Sequence, residues 1–309
     1  MATVDLDGSL ISVTGRILKC TEIFDEYWLD PDRIPNPEHT IAKLRERGGA
    51  DLFSFSQHLP DLTPNHSYPM EWDNLAAVRI TGFDDWWNGL PQATRKNVRR
   101  SAKRGVEIRP ATLDDELVRG IVKIYNETPI RQGRRFPHYG KDFDQTQAAN
   151  SSYLERSDFI GAYLKGELIG FMKLVYVGKQ AKIMQIVALA EHQDKRPMNA
   201  MIAKAMEIVS AKGMDYFIYG KYIYGKRTDT QIIEFKNRNG FEKLELPKYY
   251  VPLTPKGALA LKLGLHHGLT HLLPAPLIGK LSDLRSRWYE LVLKQGQPAT
   301  ARPASADDE

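Results

Sequence analysis

The chain has 309 residues, 42% of them apolar and 26% charged, with 43 Lys and Arg against 38 Asp and Glu for a formal net charge of +5. That length exceeds one small domain, and a single cysteine, Cys20, excludes an intramolecular disulfide framework and a cysteine-based zinc site. No apolar run reaches the roughly 18–20 residues that cross a bilayer, so no transmembrane segment is expected, and the excess of cations favours anionic partners such as nucleotides, nucleic acid or acidic lipid.

The predicted elements open with two short strands, 10–13 and 16–18, before a loop punctuated by Pro31, Pro35 and Pro37. PEHTIAKLRERGG reads as a helix with Pro37 near its start, Ile41 and Leu44 inward and Gly48 at its end. ADLFSFSQ and LAAVRI read as strands. In FDDWWNGLPQATRKNVRRSAKRG the acidic pair Asp84 and Asp85 suits a first helical turn, and Pro91 opens a second helix. On that second helix Arg95, Lys96, Arg99, Arg100, Lys103 and Arg104 share about half the circumference. VEIRPAT is a strand, Leu113–Thr128 a helix and 143–154 another, with a Gly- and Pro-broken polar loop between them.

FIGAYLKGELIGFMKLVYV is two strands around a Lys165-Gly166-Glu167 turn, and KIMQIVAL is a third. From Arg196 to Lys212 the residues Met198, Met201, Ile202, Ala205, Met206 and Val209 form one apolar stripe, closed by Gly213. DYFIYGKY is a short strand, DTQIIEFKNRNG a helix with Asp229 as N-cap, and FEKLELPKYYVPL the last strand. GALALKLGLHHGLTHLL and PLIGKLSDLRSRWYELVLK read as two amphipathic helices, with a dimer seam or a membrane-surface patch as uses for the first. The tail from about residue 295 has the composition of a disordered segment. His267 and His271 are spaced i, i+4, yet no Cys or Glu partner stands near them in sequence, so no metal is expected.

Hairpin, strand, helix, strand, helix and an Asn-Gly-Phe step into the last strand, in that order, resemble the acyl-CoA-handling core of the GNAT N-acyltransferases over about 106–252. GLPQATRKNVRRSAKRGVEI resembles the basic helix of Fem-type (FemAB-like) aminoacyltransferases, which join two GNAT-like halves. The resemblance implies an α+β fold with a mixed, mostly antiparallel sheet. It divides the chain into 1–105, a degenerate GNAT-like half ending in the basic helix; 106–253, the acyltransferase core; 254–294, a helical extension; and 295–309, the tail. It also implies N-acyl transfer from acetyl-CoA or another acyl-CoA to an amine, with a small-molecule, glycan or cell-envelope precursor as acceptor. Two alternatives stay open: aminoacyl transfer from tRNA, and a binding module of the same shape that has lost its donor site. The expected place is the cytoplasm, since one cysteine suits a reducing compartment and no leader is read, with the basic helix able to meet tRNA or the inner membrane surface.

Two departures bear on this. GNAT enzymes carry a glycine-rich loop after the third strand that holds the CoA pyrophosphate; EHQDKRPMNAMIAK has no glycine, and Pro197 removes a donor. Lys236 stands where many GNATs place a tyrosine acid. On the resemblance, the backbone of Val187, Ala188 and Leu189 faces the thioester, and Asp194, Lys195, Arg196 and Asn199 occupy the pyrophosphate position. The loop NETPIRQGRRFPHYGK concentrates hydrogen-bonding groups that are costly to bury without purpose. Glu127 or His138 is a candidate base there, and Arg131, Gln132, Arg135, Tyr139 and Lys141 are candidate substrate contacts. Tyr219 or Tyr224 is a candidate acid, and Lys221, Arg99 and Arg100 are candidate contacts for phosphates or polyanions.

Overall fold

The chain is described from a computed structural model, which covers residues 2–131, 134–224 and 231–268. In chain order the elements are β1 (Ala2–Leu6), β2 (Ser9–Thr14), β3 (Cys20–Ile23), α1 (Pro37–Arg47), β4 (Leu52–Ser56), β5 (Met70–Arg79), α2 (Phe83–Gly89), α3 (Gln92–Lys103) and β6 (Val106–Ala111). There follow α4 (Asp115–Asn126), β7 (Ile130–Arg131), β8 (Arg134–Arg135), α5 (Phe143–Asn150), β9 (Ser157–Leu164), β10 (Glu167–Val177) and β11 (Gln180–Ala188). Last come α6 (Pro197–Ala211), β12 (Tyr216–Ile218), α7 (Gln231–Arg238), β13 (Glu242–Pro252) and α8 (Pro255–Lys262).

Eleven of these strands form one sheet in the order β1-β2-β3-β4-β13-β5-β12-β11-β10-β9-β6. Only β3 with β4 and β11 with β12 run parallel, so the sheet is mixed and mostly antiparallel, as expected. Each parallel pair is joined by a helix that opens on a proline, Pro37 in α1 and Pro197 in α6. The strand that follows each pair does not return to it. β5 crosses to lie beside β12, and β13 crosses to lie beside β4. Residues 1–105 and 106–253 are therefore laced together at mid-sheet, where β5 and β13 also pair with each other.

Periodicity explains what packs where. Ile41 and Leu44 of α1 face Ile11, Ile23, Phe53, Phe55, Tyr249 and Val251. The stripe of α6 (Met201, Ile202, Ala205, Met206, Val209) enters the larger core with Phe171, Leu174 and Phe217. The other face of β4 and β13, with Ser54, Lys248 and Tyr250, is left open and polar.

The structure corrects two sequence expectations. Residues 16–18 belong to the connection between β2 and β3, because Val13 pairs with Thr21 and Thr14 with Cys20; the strand is Cys20–Ile23. The long helix expected from Gly257 stops at Lys262, where Gly264 adopts φ 67° and a short 3-10 turn, Leu265–His267, follows. Asp229, His271 and residues 269–309 lie outside the described residues.

Gly257 is required at the start of α8 for a steric reason. A Cβ there would come 1.8 Å from the carbonyl oxygen of Asp51. That oxygen also accepts from the Leu253 N–H at 2.9 Å, and the Asp51 carboxylate takes the Thr254 hydroxyl at 2.9 Å, so neither side can retreat freely. Gly257→Ala is expected to cost about 1–3 kcal/mol of stability, read as a lowered denaturation midpoint with an unchanged slope.

Candidate functional site

Lys182 is the last β11 residue paired to β12; residues 183–188 continue along β10 alone. Two features open this gap. Lys173 faces Gln185 but Leu174 faces Ile183, so Met184 is an extra residue that bends β11. On the other side β12 leaves along β5, with the Tyr219 N–H donating to Ala76 and the Gly220 carbonyl accepting from Ala76. Gly220 has φ 59°, and a Cβ there would sit 2.8 Å from the Tyr224 hydroxyl oxygen.

Beside the gap lies a cavity of about 430 Å³ between the 24–33 connection and the faces of β4, β13, β5 and β11. Lys182 lines it and is only 2% exposed. Its ammonium donates to the Tyr27 carbonyl, lies 4.2 Å from the centre of the Tyr27 ring, and has no carboxylate within ion-pair distance among the described residues. Burial, aided by nearby Arg156, pushes its pKa down to about 7. The Tyr27 hydroxyl is buried without a hydrogen-bond partner among the described residues. Around this lysine stand Glu22, Glu26 and Asp73, with Asp73 bound to Lys221 at 2.9 Å and Glu22 3.8 Å from Lys248. Glu22, Asp73, Lys221 and Lys248 also line a second cavity of about 430 Å³ that ends at Glu71, His266 and His267. Sharing these four residues, the two adjoin as one trough.

Lys236, at the position of the expected acid, is fully buried. It donates to the Lys221 carbonyl at 2.5 Å and lies between the Tyr219 and Tyr224 rings, 4.7 and 4.8 Å from their centres. Burial lowers its pKa to about 8. Burial raises the Tyr219 pKa, so that hydroxyl keeps its proton.

The polar loop after α4 is bound inward rather than free. The Glu127 carboxylate accepts from the N–H groups of Ala190 (2.8 Å) and Glu191 (3.1 Å) and from Arg131 (3.0 Å). A base with three donors already in place has little room for a substrate proton. Arg131 donates to the carbonyls of Ala188 (2.8 Å) and Ile124 (2.9 Å), which leaves no fork for a phosphate. His138 stacks on Tyr125 at 4.5 Å and meets Gln185 and Lys141, both at 3.2 Å. Burial lowers its pKa to about 4, so it is neutral near pH 7. Tyr125 donates to Gln185, and Asn150 to Tyr125, which extends this network inward. Tyr139 is half-buried in a turn and Arg135 is exposed opposite Ile130; Gln132 lies outside the described residues.

At the expected pyrophosphate position Asp194 is held by Arg104, Lys195 lies 3.3 Å from His192, Asn199 donates to Asn239 at 3.0 Å, and Arg196 is exposed. The Leu189 N–H is spent on Ile169 at 2.8 Å, the Ala188 carbonyl is taken by Arg131, and Val187 pairs with Phe171. Arg99 and Arg100 are exposed on α3, with Arg99 5.6 Å from the Trp87 ring centre. Sequence reasoning missed Lys182, Tyr27 and Glu71. A lysine at the head of the apolar run KIMQIVAL is the one signal that pointed to Lys182.

No family model and no curated protein matches this sequence. Solved structures do match its fold. FemX superposes with a TM-score of 0.51 at 11% identity, covering 79% of this chain and 86% of FemX. L-PGS from Bacillus licheniformis gives 0.52 at 13% identity, covering 78% and 80%. The C-terminal domain of a candidate lysylphosphatidylglycerol synthetase from Agrobacterium fabrum gives 0.51 at 16% identity, covering 82% and 83%. The fold is GNAT-like and Fem-like.

Proposed function

We propose that this GNAT-like, Fem-like fold performs N-acyl transfer onto an amine held in the trough. The carrying observation is Lys182, a buried amine without a carboxylate partner among the described residues, lining the cavity where β11 and β12 part. Near pH 7 a large share of it is neutral, so it can take the proton that an ammonium acceptor must lose before attack. Glu22, Glu26 and Asp73 draw such an ammonium in. The acyl carbonyl of the donor lies against the unpaired edge of 183–188, and Tyr219 or Tyr224 protonates the leaving group. Glu127 and Arg131 act as positioning residues that fix the end of β11. On analogy of fold with FemX, the amine-bearing acceptor is assigned to the charged glycan or cell-envelope precursors. No described helix is long and apolar enough to cross a membrane, so a membrane-borne acceptor would be met through the basic face of α3.

The donor divides into two readings. Acyl-CoA follows from the GNAT-like core. An aminoacyl ester on tRNA is favoured by Glu127, whose carboxylate already holds the Ala190 and Glu191 amides next to where a pyrophosphate would lie. Thermal shift against acetyl-CoA, longer acyl-CoAs and charged tRNA, at low and moderate salt, separates them. A ligand at a hundred times its Kd adds about 2.7 kcal/mol. A CoA shift that survives moderate salt supports the thioester reading. Silence with every CoA, and a tRNA shift abolished by Arg99→Glu with Arg100→Glu, supports the ester reading. Silence with all donors overturns acyl transfer.

A further inference from the structure

We propose that Glu71, His266 and His267 bind one divalent transition-metal ion, with zinc as its type, and that the remaining coordination positions open into the trough. This rests on none of the acyl-transfer reading. Glu71 lies on β5 opposite Lys248 of β13. The two histidines lie on the 3-10 turn Leu265–His267, turned back toward β13 by the end of α8 at Gly264. They are brought to Glu71 across 195 and 196 positions of sequence. Tyr250 fixes the pair from β13, its ring centre 4.6 Å from His266 and 6.4 Å from His267.

One carboxylate oxygen of Glu71 stands 3.0 Å from the Nε2 of each histidine. All three donor atoms lie within 4.8 Å of one another. Ligands bound to one ion by bonds of about 2.0–2.2 Å are separated by about 2.8–3.1 Å along the edges of an octahedron and about 3.3–3.6 Å along those of a tetrahedron, so the two Glu71–histidine distances already stand near coordination spacing. Without an ion, the same oxygen serves both imidazoles at hydrogen-bond distance. The donor set also has a chemical preference: two imidazoles and a carboxylate suit zinc and its first-row neighbours better than magnesium or calcium, which take oxygen.

Burial adds order. The side chain of His266 is 4% exposed, so its ring cannot swing into solvent without leaving the site. His267 and Glu71 are 27% and 42% exposed and leave a route for entry. The cavity of about 430 Å³ that these residues cap also holds Thr14, Cys20 and Asp73. An ion with these three ligands among the described residues would present its other positions to a ligand in the trough, where an oxygen anion, phosphate or carboxylate, fits its charge.

The test uses untagged protein, stripped with EDTA and dialysed, then titrated with zinc chloride by calorimetry. One ion per chain with micromolar or tighter affinity is expected. Glu71→Gln, which keeps the side-chain shape, should weaken it by about a hundredfold, and His267→Ala comparably. Cobalt in place of zinc should give visible absorption bands that Glu71→Gln removes. Circular dichroism of each variant in EDTA checks the fold, and Glu71→Gln keeps the test decisive if a histidine variant misfolds. Absence of saturable binding by the wild type, or equal affinity in Glu71→Gln, overturns the site.

Discussion

Lys182→Met is expected to yield a protein that is more stable than the wild type at neutral pH and, on the proposed reaction, inactive in acyl transfer. Lys182 has a depressed pKa in the folded state, about 7 against about 10.4 unfolded. Below pH 7 both states carry the proton, and the folded state bears the whole cost of a buried charge. Between pH 7 and pH 10 the folded lysine loses its proton while the unfolded chain keeps it, so stability rises with pH. The span corresponds to about 5 kcal/mol. Methionine has similar length and no charge. It forfeits the bond to the Tyr27 carbonyl, which leaves a net gain of about 1–3 kcal/mol at pH 7. Urea denaturation of both proteins at pH 6, 7, 8 and 9 measures this. A wild-type curve that fails to climb relative to the variant would show that Lys182 is charged in the fold. Retained turnover in Lys182→Met would remove it from the reaction.

Glu127→Ala is the second large effect. Its carboxylate joins α4 to the turn after β11, and its loss leaves two N–H groups without an acceptor and Arg131 without its ion pair. Both side chains are 19% exposed, so the expected cost is about 2–3 kcal/mol, below that of a fully dry pair. Glu127→Gln separates position from chemistry. The Ala190 and Glu191 N–H groups bond different carboxylate oxygens, so the amide keeps an acceptor for one of them, and a positioning residue retains at least about a tenth of wild-type turnover. A general base replaced in this way would lose about a hundredfold or more. A double-mutant cycle with Arg131→Ala should show coupling of about 1–2 kcal/mol.

Local grammar made most of the fold readable. Pro37 and Gly48 bracket α1, helical spacing of apolar residues marks α4, and the apolar stripe marks α6. β1 and β3 were hidden, because ATVDL is mostly exposed at the sheet edge and CTEI is only four residues long. The site was less legible. The density of polar groups from Glu127 to Lys141 did mark an unusual segment, but density does not say who partners whom. In the fold Glu127, Arg131 and His138 are engaged by β11 and the turn after it. Glu71 and His266 each look ordinary in sequence, and only the crossing of β5 and β13 brings their segments together.

That exchange of strands bears on how the protein is made. β4 is complete at Ser56, yet its second edge finds a partner only in β13, from Lys248 onward. At roughly 5–20 residues per second, a growing chain would carry that bare edge for about ten to forty seconds. Phe53 and Phe55 lie on this strand, and Tyr249 and Val251, which cover them, arrive among the last residues of the sheet. A bare, aromatic strand edge invites pairing with a neighbouring nascent chain. Crowded polysomes thus set the hazard for this topology, and a ribosome stalled after residue 105 holds a half-sheet whose missing strand has yet to be translated.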